Sequence, residues 1–239
     1  HASTIAEIPG GFIAAWFGGT DEGNPDVGIW ISRFANDSWS KPEEIANGKR
    51  ENFRYPCWNP VLYFTGDAIL LFFKVGPSPS EWWGELCISY DGGISWTAPE
   101  RLPEGIIGPV KNKPVALGNG TLLCPSSTED NGWRVHMEMT SDNGITWKRT
   151  KALNEKSIAA IQPAVLVHND GKLQIVCRSK QSKVLTSWSD DNGASWTGLT
   201  PIHLPNPNSG IDAVTLSNGK HVMIYNHLTS GRGMLNVAI

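Results

Sequence analysis

Two sets of polar side chains recur at equivalent places in this 239-residue sequence, and both contain groups able to do chemistry. The first set opens apolar segments: His1, Asn59, Lys113, Gln162 and Asp212, each followed by Pro or a small residue, an apolar run and a Gly turn. The second set closes the apolar run after that turn: Lys74, Glu129, Arg178, Tyr225 and His227. Imidazole takes up a proton near neutral pH, and a carboxyl or phenol serves as acid or nucleophile when its surroundings tune it. His1, His136, Glu129 and Tyr225 are therefore the candidate catalytic groups. Arg134 and His136 share one face of the alternating segment Trp133 to His136, which suits an anionic ligand; a solvated ion pair is the plainer alternative. The Pro-rich insert from Gly76 to Gly84 carries Trp82 and Trp83. Adjacent indoles beside a polar cleft stack on sugar faces, unless the loop folds back over its own tryptophans.

A repeated octapeptide identifies the elements that must position these groups. The pattern Ser/Thr-x-Asp-x-Gly-x-Ser/Thr-Trp spans Ser89 to Trp96, Thr140 to Trp147 and Ser189 to Trp196. A worn copy runs from Ser32 to Trp39, with Phe34 at the Asp position and Asn36 at the Gly position. The closing tryptophans are separated by 57, 51 and 49 residues. A strand-rich repeat of that length suits the four-stranded blades of a β-propeller. Asp-x-Gly is turn chemistry: the carboxylate accepts backbone N–H groups and Gly takes φ > 0. The octapeptides are thus read as structural staples and not as a site. Segments such as Ala68 to Phe73 and Lys172 to Cys177 read as second strands, and helix signals are almost absent.

The expected fold is an all-β propeller of four-stranded antiparallel blades, with about five repeats in residues 1–239 as one domain. Six blades are expected in the intact parent, and seven also fit. The chain opens at His1 inside a strand-like segment and closes at Ile239, before the next expected octapeptide, so both ends read as cut. The innermost strand of each blade lines the central channel. The first polar set is then expected to gather at one mouth as substrate-binding groups: Asn59, Lys113, Gln162 and Asp212, with Lys74, Arg134, Arg178, Arg232, Trp82 and Trp83 around them. The plainer reading is that such residues cap strand ends in water.

Composition narrows the partners. The sequence is 40% hydrophobic and 18% charged with a net charge of -3, which lacks the basic footprint of a nucleic-acid binder. No apolar run is long enough for a membrane span. Cys57, Cys87, Cys124 and Cys177 form no C-x-x-C pair and read as free, mostly buried thiols. Asp21, Glu22 and Asp26 lack the spacing of an EF-hand, so no metal or other cofactor is expected. A monomer is expected, and a secreted or periplasmic location is compatible with the sequence.

The octapeptides, their spacing and the strand pattern resemble the sialidase (neuraminidase) superfamily, in its bacterial-neuraminidase-repeat branch, over the whole chain. The segments Trp16 to Gly19, Gly108 to Pro114, Pro125 to Glu129 and Asn206 to Asp212 are sialidase-like, and are also similar to lyases that cleave glucuronate-linked rhamnose. The resemblance implies an acidic oligosaccharide or polysaccharide as partner. In such sialidases three arginines grip the sugar carboxylate, a Glu assists a Tyr nucleophile, and an Asp on a loop is the acid. Arg178 and Arg232 match two of the arginines. The first falls on His1, the Glu on Val167, and the Asp near Gly18, ahead of Asp21, Glu22 and Asp26. The Tyr would lie past Ile239. Two arginines still imply an acidic sugar. Losing the Glu weakens covalent hydrolysis, and a His beside arginines suits β-elimination next to a uronate. Cleavage of a terminal acidic sugar, lyase chemistry, and carbohydrate or protein binding without catalysis all remain open.

Overall fold

The computed structural model describes residues 1–239, folded into 21 strands without a helix. No helix is therefore long and apolar enough to cross a membrane. Contacts divide the chain into two compact units: His1–Lys113 with Asp142–Ile145, and Pro114–Ser141 with Thr146–Ile239.

The first unit holds two antiparallel sheets. One is built from β1 (Thr4–Ile8), β2 (Gly11–Gly18), β3 (Gly28–Ala35), β4 (Ser38–Trp39), β5 (Glu43–Arg50) and β6 (Phe53–Tyr55), in the order β1-β2-β3-β5-β6 with β4 also on β3. The other runs β7 (Cys57–Phe64), β8 (Ile69–Val75), β9 (Trp83–Ser89) and β10 (Glu100–Arg101), each strand beside the next. All seven residues of β8 are buried, because the strand is covered on both faces. Ile13, Phe17, Ile29, Leu62, Leu71 and Phe73 form one core with it.

The second unit holds three sheets of the same kind. The first is β11 (Val115–Ala116), β12 (Leu122–Thr128), β13 (Arg134–Thr140) and β14 (Lys148–Arg149). The second is β15 (Ala160–Val167), β16 (Leu173–Ser179), β17 (Lys183–Ser189) and β18 (Thr200–Pro205). The third is β19 (Asp212–Thr215), β20 (His221–Tyr225) and β21 (Asn236–Ala238). Leu123, Val135, Met137, Leu173, Ile175 and Leu185 are buried together between the first two. Consecutive small antiparallel meanders of this kind are the blades of a β-propeller, five in this chain, as the repeat count predicts. Three of the five are four-stranded; the first carries two extra short strands, and the last has three.

The octapeptides behave as turn staples. Asp91 accepts from the backbone N–H groups of Ile94 (3.1 Å) and Ser95 (2.9 Å) and from the hydroxyls of Ser89 and Ser95. The Ser95 and Ser89 bonds hold its carboxyl down at about 2. Asp191 repeats the arrangement with Ser195 and Ser189, also at about 2. Gly93 needs its φ of +83°, and an added Cβ there would sit 2.6 Å from Ile13. The four cysteines are free and buried.

Two of the polar positions expected to open first strands lie inside them. Asn59 is the third residue of β7 and Gln162 the third of β15. Each has a positive φ, +39° and +54°, just before a Pro, at a break in register with the second strand. Such a bulge bends the strand and re-aims the side chain. In the third blade the first strand shrinks to two residues, and Lys113 precedes it outside any strand.

Candidate functional site

In the second unit, strand ends bring a compact set of charged and aromatic groups together. Arg178 lies near the end of β16, Glu129 immediately follows β12, and Trp133 immediately precedes β13. The bulge at Gln162 matters here: its Oε1 accepts from the Arg178 guanidinium at 3.3 Å, while its N–H donates to Ser127 Oγ at 3.1 Å. The loop after β18 supplies the other support. Arg178 donates to the main-chain oxygen of Asn208 and to its Oδ1 (3.0 Å). Asn208 takes a φ of +65°, which Asn tolerates, and Asn206 holds the turn by accepting from the Asn208 N–H at 2.9 Å. The guanidinium carbon is 5.2 Å from the centroid of Trp133, and the Lys180 ammonium is 4.4 Å from it. Asn154, itself buried, fixes Trp133 by donating to its carbonyl and accepting from the Val135 N–H, both at 2.8 Å.

The electrostatics suit an anion. Burial, and then the nearby charge of Arg232, pull the Arg178 guanidinium below its usual range, while Glu129 opposes them. Two guanidiniums close enough to disfavour each other are relieved by a carboxylate. Burial pushes the Glu129 carboxyl up, with Arg178, the Trp133 side chain and Lys180 opposing. A raised carboxyl keeps a proton to higher pH than an exposed one, which suits a general acid. The set therefore offers two cations for a carboxylate, a third beside them, an aromatic wall and one protonatable acid.

The remaining predicted residues lie elsewhere or deeper. His136 and Arg134 do share a face of β13, but His136 is fully enclosed and its Nε2 is 2.8 Å from buried Glu138. That face turns inward at position 136, so His136 is a core residue and not a group open to substrate. Arg134 is half-buried at the start of β13. Tyr225 packs in the core of the last two blades with its hydroxyl on His227 Nδ1. Asp212 is exposed and opens β19.

In the first unit, Lys74 is fully buried and donates to the Pro109 carbonyl at 2.6 Å, where strand β8 is covered on both sides. Asn59 is buried and Lys113 half-buried. His1 stands 3.3 Å from Glu22 and edge-on to Phe17. Asp26 accepts from the Thr20 N–H and hydroxyl, and the N–H bond leads in holding its carboxyl low. Trp82 packs against Trp58, and Trp83 donates to Glu85, so neither indole is a bare stacking platform. Lys180 and Asn208 escaped the sequence reading. Lys180 carries no motif, and the segment Asn206 to Asp212 resembles the family as a whole without marking Asn208.

Residues 10–239 match the family described as a BNR repeat-like domain. The chain belongs to that family. Its octapeptides place it in the bacterial-neuraminidase-repeat branch of the sialidase superfamily. The fold is similar to that of a Dyadobacter fermentans protein of unknown function, with TM-score 0.76 and 17% identity over 93% of this chain and 74% of that one. It is also similar to the NanB sialidase of Streptococcus pneumoniae (TM-score 0.78, 13% identity, 99% of this chain and 58% of that one). A third match is Trypanosoma rangeli sialidase (TM-score 0.71, 21% identity, 94% of this chain and 43% of that one). The chain thus spans about half the length of the two sialidases. Identities this low carry the fold alone. No curated protein matches the sequence.

Proposed function

We propose that this chain provides the acidic-sugar site of a sialidase-like glycosidase that removes a terminal carboxylate-bearing sugar from a glycan. The observation that carries the reading is the aimed guanidinium of Arg178, a match to a sialidase arginine, held by Gln162 and Asn208 beside Trp133; the charge of Arg232, the other match, and a burial-raised Glu129 carboxyl support it. In this reading Arg178 and Arg232 hold the sugar carboxylate, and Gln162 and Asn208 keep Arg178 aimed. Glu129 gives its proton to the departing glycosidic oxygen, water takes that oxygen's place on the anomeric carbon and the proton it sheds restores Glu129, while Trp133 walls the sugar. Like-charge repulsion between the arginines is present without substrate and relieved with it, so the pair selects anionic over neutral sugars.

Elimination is the weaker reading: of its two candidate bases, His136 is enclosed against Glu138, and His1, though exposed, has Glu22 at 3.3 Å and no arginine partner. The test is incubation with sialyl-lactose and, separately, with a glucuronate-bearing oligosaccharide, following free-sugar release and absorbance of an unsaturated uronate. Release of sialic acid without new absorbance, abolished in Glu129→Gln while binding survives, is the expected result. Rising absorbance would move the reaction to elimination, and binding without either product would make the chain a lectin-like module.

A further inference from the structure

The first unit contains a cleft that the glycosidase reading leaves unused. It encloses about 500 Å³ against β5, β9 and β10, and its chemistry comes from Lys49, Arg50, Trp83, Glu85 and Arg101. Glu85 is 1% exposed and organises the walls: its Oε1 accepts from the Arg50 guanidinium and, at 2.8 Å, from the Trp83 indole N–H. The guanidinium carbons of Arg50 and Arg101 lie 5.8 and 4.8 Å from the Trp83 ring centroid. Trp83 therefore holds cations near its ring, where its quadrupole attracts them.

The charge balance is uneven. Three cations meet one carboxylate, and of the three only Arg50 has an acidic partner within 4.0 Å. Glu85 Oε2 is enclosed and has no hydrogen-bond donor, so the buried end of the cleft holds an unused acceptor. Cations without an acidic partner and an enclosed acceptor in one cleft match a sugar carrying an anionic substituent next to a hydroxyl. The volume is that of a small-ligand site, too small for a folded partner. The net charge of -3 is wrong for nucleic acid.

We propose that this cleft is a second glycan-binding site, which takes an anionic sugar residue away from the Arg178 centre. The sulfate or carboxylate sits between Arg101, Lys49 and Arg50. Arg50, whose side chain is 43% exposed, swings toward the anion and opens Glu85 Oε2 to the neighbouring hydroxyl. The anion site follows from the cleft itself, whereas choosing a sugar among anions rests on the acidic-glycan reading above.

The experiment is calorimetric titration of the chain in an Arg178→Ala background, so that the other site is disabled. A carrageenan tetrasaccharide tests the sulfate, and a hyaluronan tetrasaccharide tests the carboxylate. At least one should bind, more weakly as salt rises. Arg101→Ala and Lys49→Ala should each weaken it by about tenfold, the loss of one charge-assisted contact, with Tm unchanged. Arg101 faces Glu85 across the β9–β10 ladder through its backbone, which Ala keeps, and neither side chain bonds the Glu85 carboxylate, so both variants should fold. Binding equal to the parent in the Lys49→Ala/Arg101→Ala double variant overturns the inference, as does no binding of either sugar. Equal binding of a DNA tetranucleotide overturns the sugar assignment. If sialyl-lactose is inert while this binding and its Arg101 dependence persist, only the glycosidase reading falls.

Discussion

Replacing Arg178 with Ala is the sharpest perturbation of the proposed centre. The guanidinium is preset by Gln162 Oε1 at 3.3 Å and Asn208 Oδ1 at 3.0 Å, so it meets a carboxylate with little ordering left to do. Each charge-assisted hydrogen bond contributes about 1.5–3 kcal/mol. Losing one such bond to substrate lowers kcat/KM by roughly 10- to 100-fold, at about 1.4 kcal/mol per factor of ten. The loss belongs mainly in KM, because the sugar carboxylate is gripped in ground and transition states alike. A second effect runs through Glu129. Arg178 is the foremost influence holding that carboxyl down against burial, so removing it lets the carboxyl rise further. Cleavage that needs protonated Glu129 falls as pH rises through its pKa, and in Arg178→Ala that falling limb moves to higher pH. Arg178→Lys keeps the charge but loses the planar fork, and should recover only part of KM. Steady-state release of sialic acid from sialyl-lactose across pH measures all three. An unchanged KM, or full recovery with Lys, would refute the carboxylate grip; an unmoved pH limb would remove Glu129 from the proton transfer.

Three further outcomes concern the scaffold. Asp191→Asn should lower Tm at pH 7, and the gap should close under acid: the native carboxyl sits at about 2 against 3.8, so its contribution is full above about pH 4 and lost as pH falls toward 2. A thermal melt series from pH 7 to 2 checks this, and parallel curves would contradict it. His221, whose Nε2 lies 3.3 Å from His168 Nδ1, is held below 6.5 by burial and by His168. The unfolded chain then binds more protons, so stability is full above about 6.5 and declines as pH drops below it; urea midpoints of His221→Gln should show a flatter decline. Phe73→Ala empties a fully buried position in the core of the first unit and should cost about 3–5 kcal/mol by urea denaturation, with the slope unchanged.

Much of the blade architecture is legible in the residues themselves, because turn chemistry and strand periodicity are local. Asp91 and Asp191 satisfy N–H groups no more than four residues away, so the octapeptide announces its own geometry. The apolar run Ala68 to Phe73 reads as a strand, and β8 is buried along its whole length. Arg178 and Arg232 were foreshadowed through motif position, and Glu129 through its place in the same recurrent set as Arg178, but the sequence carries no mark of what aims the guanidinium. That depends on tertiary contacts: Gln162 reaches Arg178 over 16 residues from the neighbouring strand of the same sheet, and Asn208 reaches it over 30 from the loop after β18. The same long-range packing withdrew His136, Lys74 and Tyr225 from solvent, since alternation along a strand tells which residues share a face but not what covers that face. It also turned Trp83 from an expected sugar platform into the holder of two guanidiniums, through partners at positions 50, 85 and 101. Local backbone rules thus determined the blades, while the identity of the groups that meet at their ends was decided by tertiary packing.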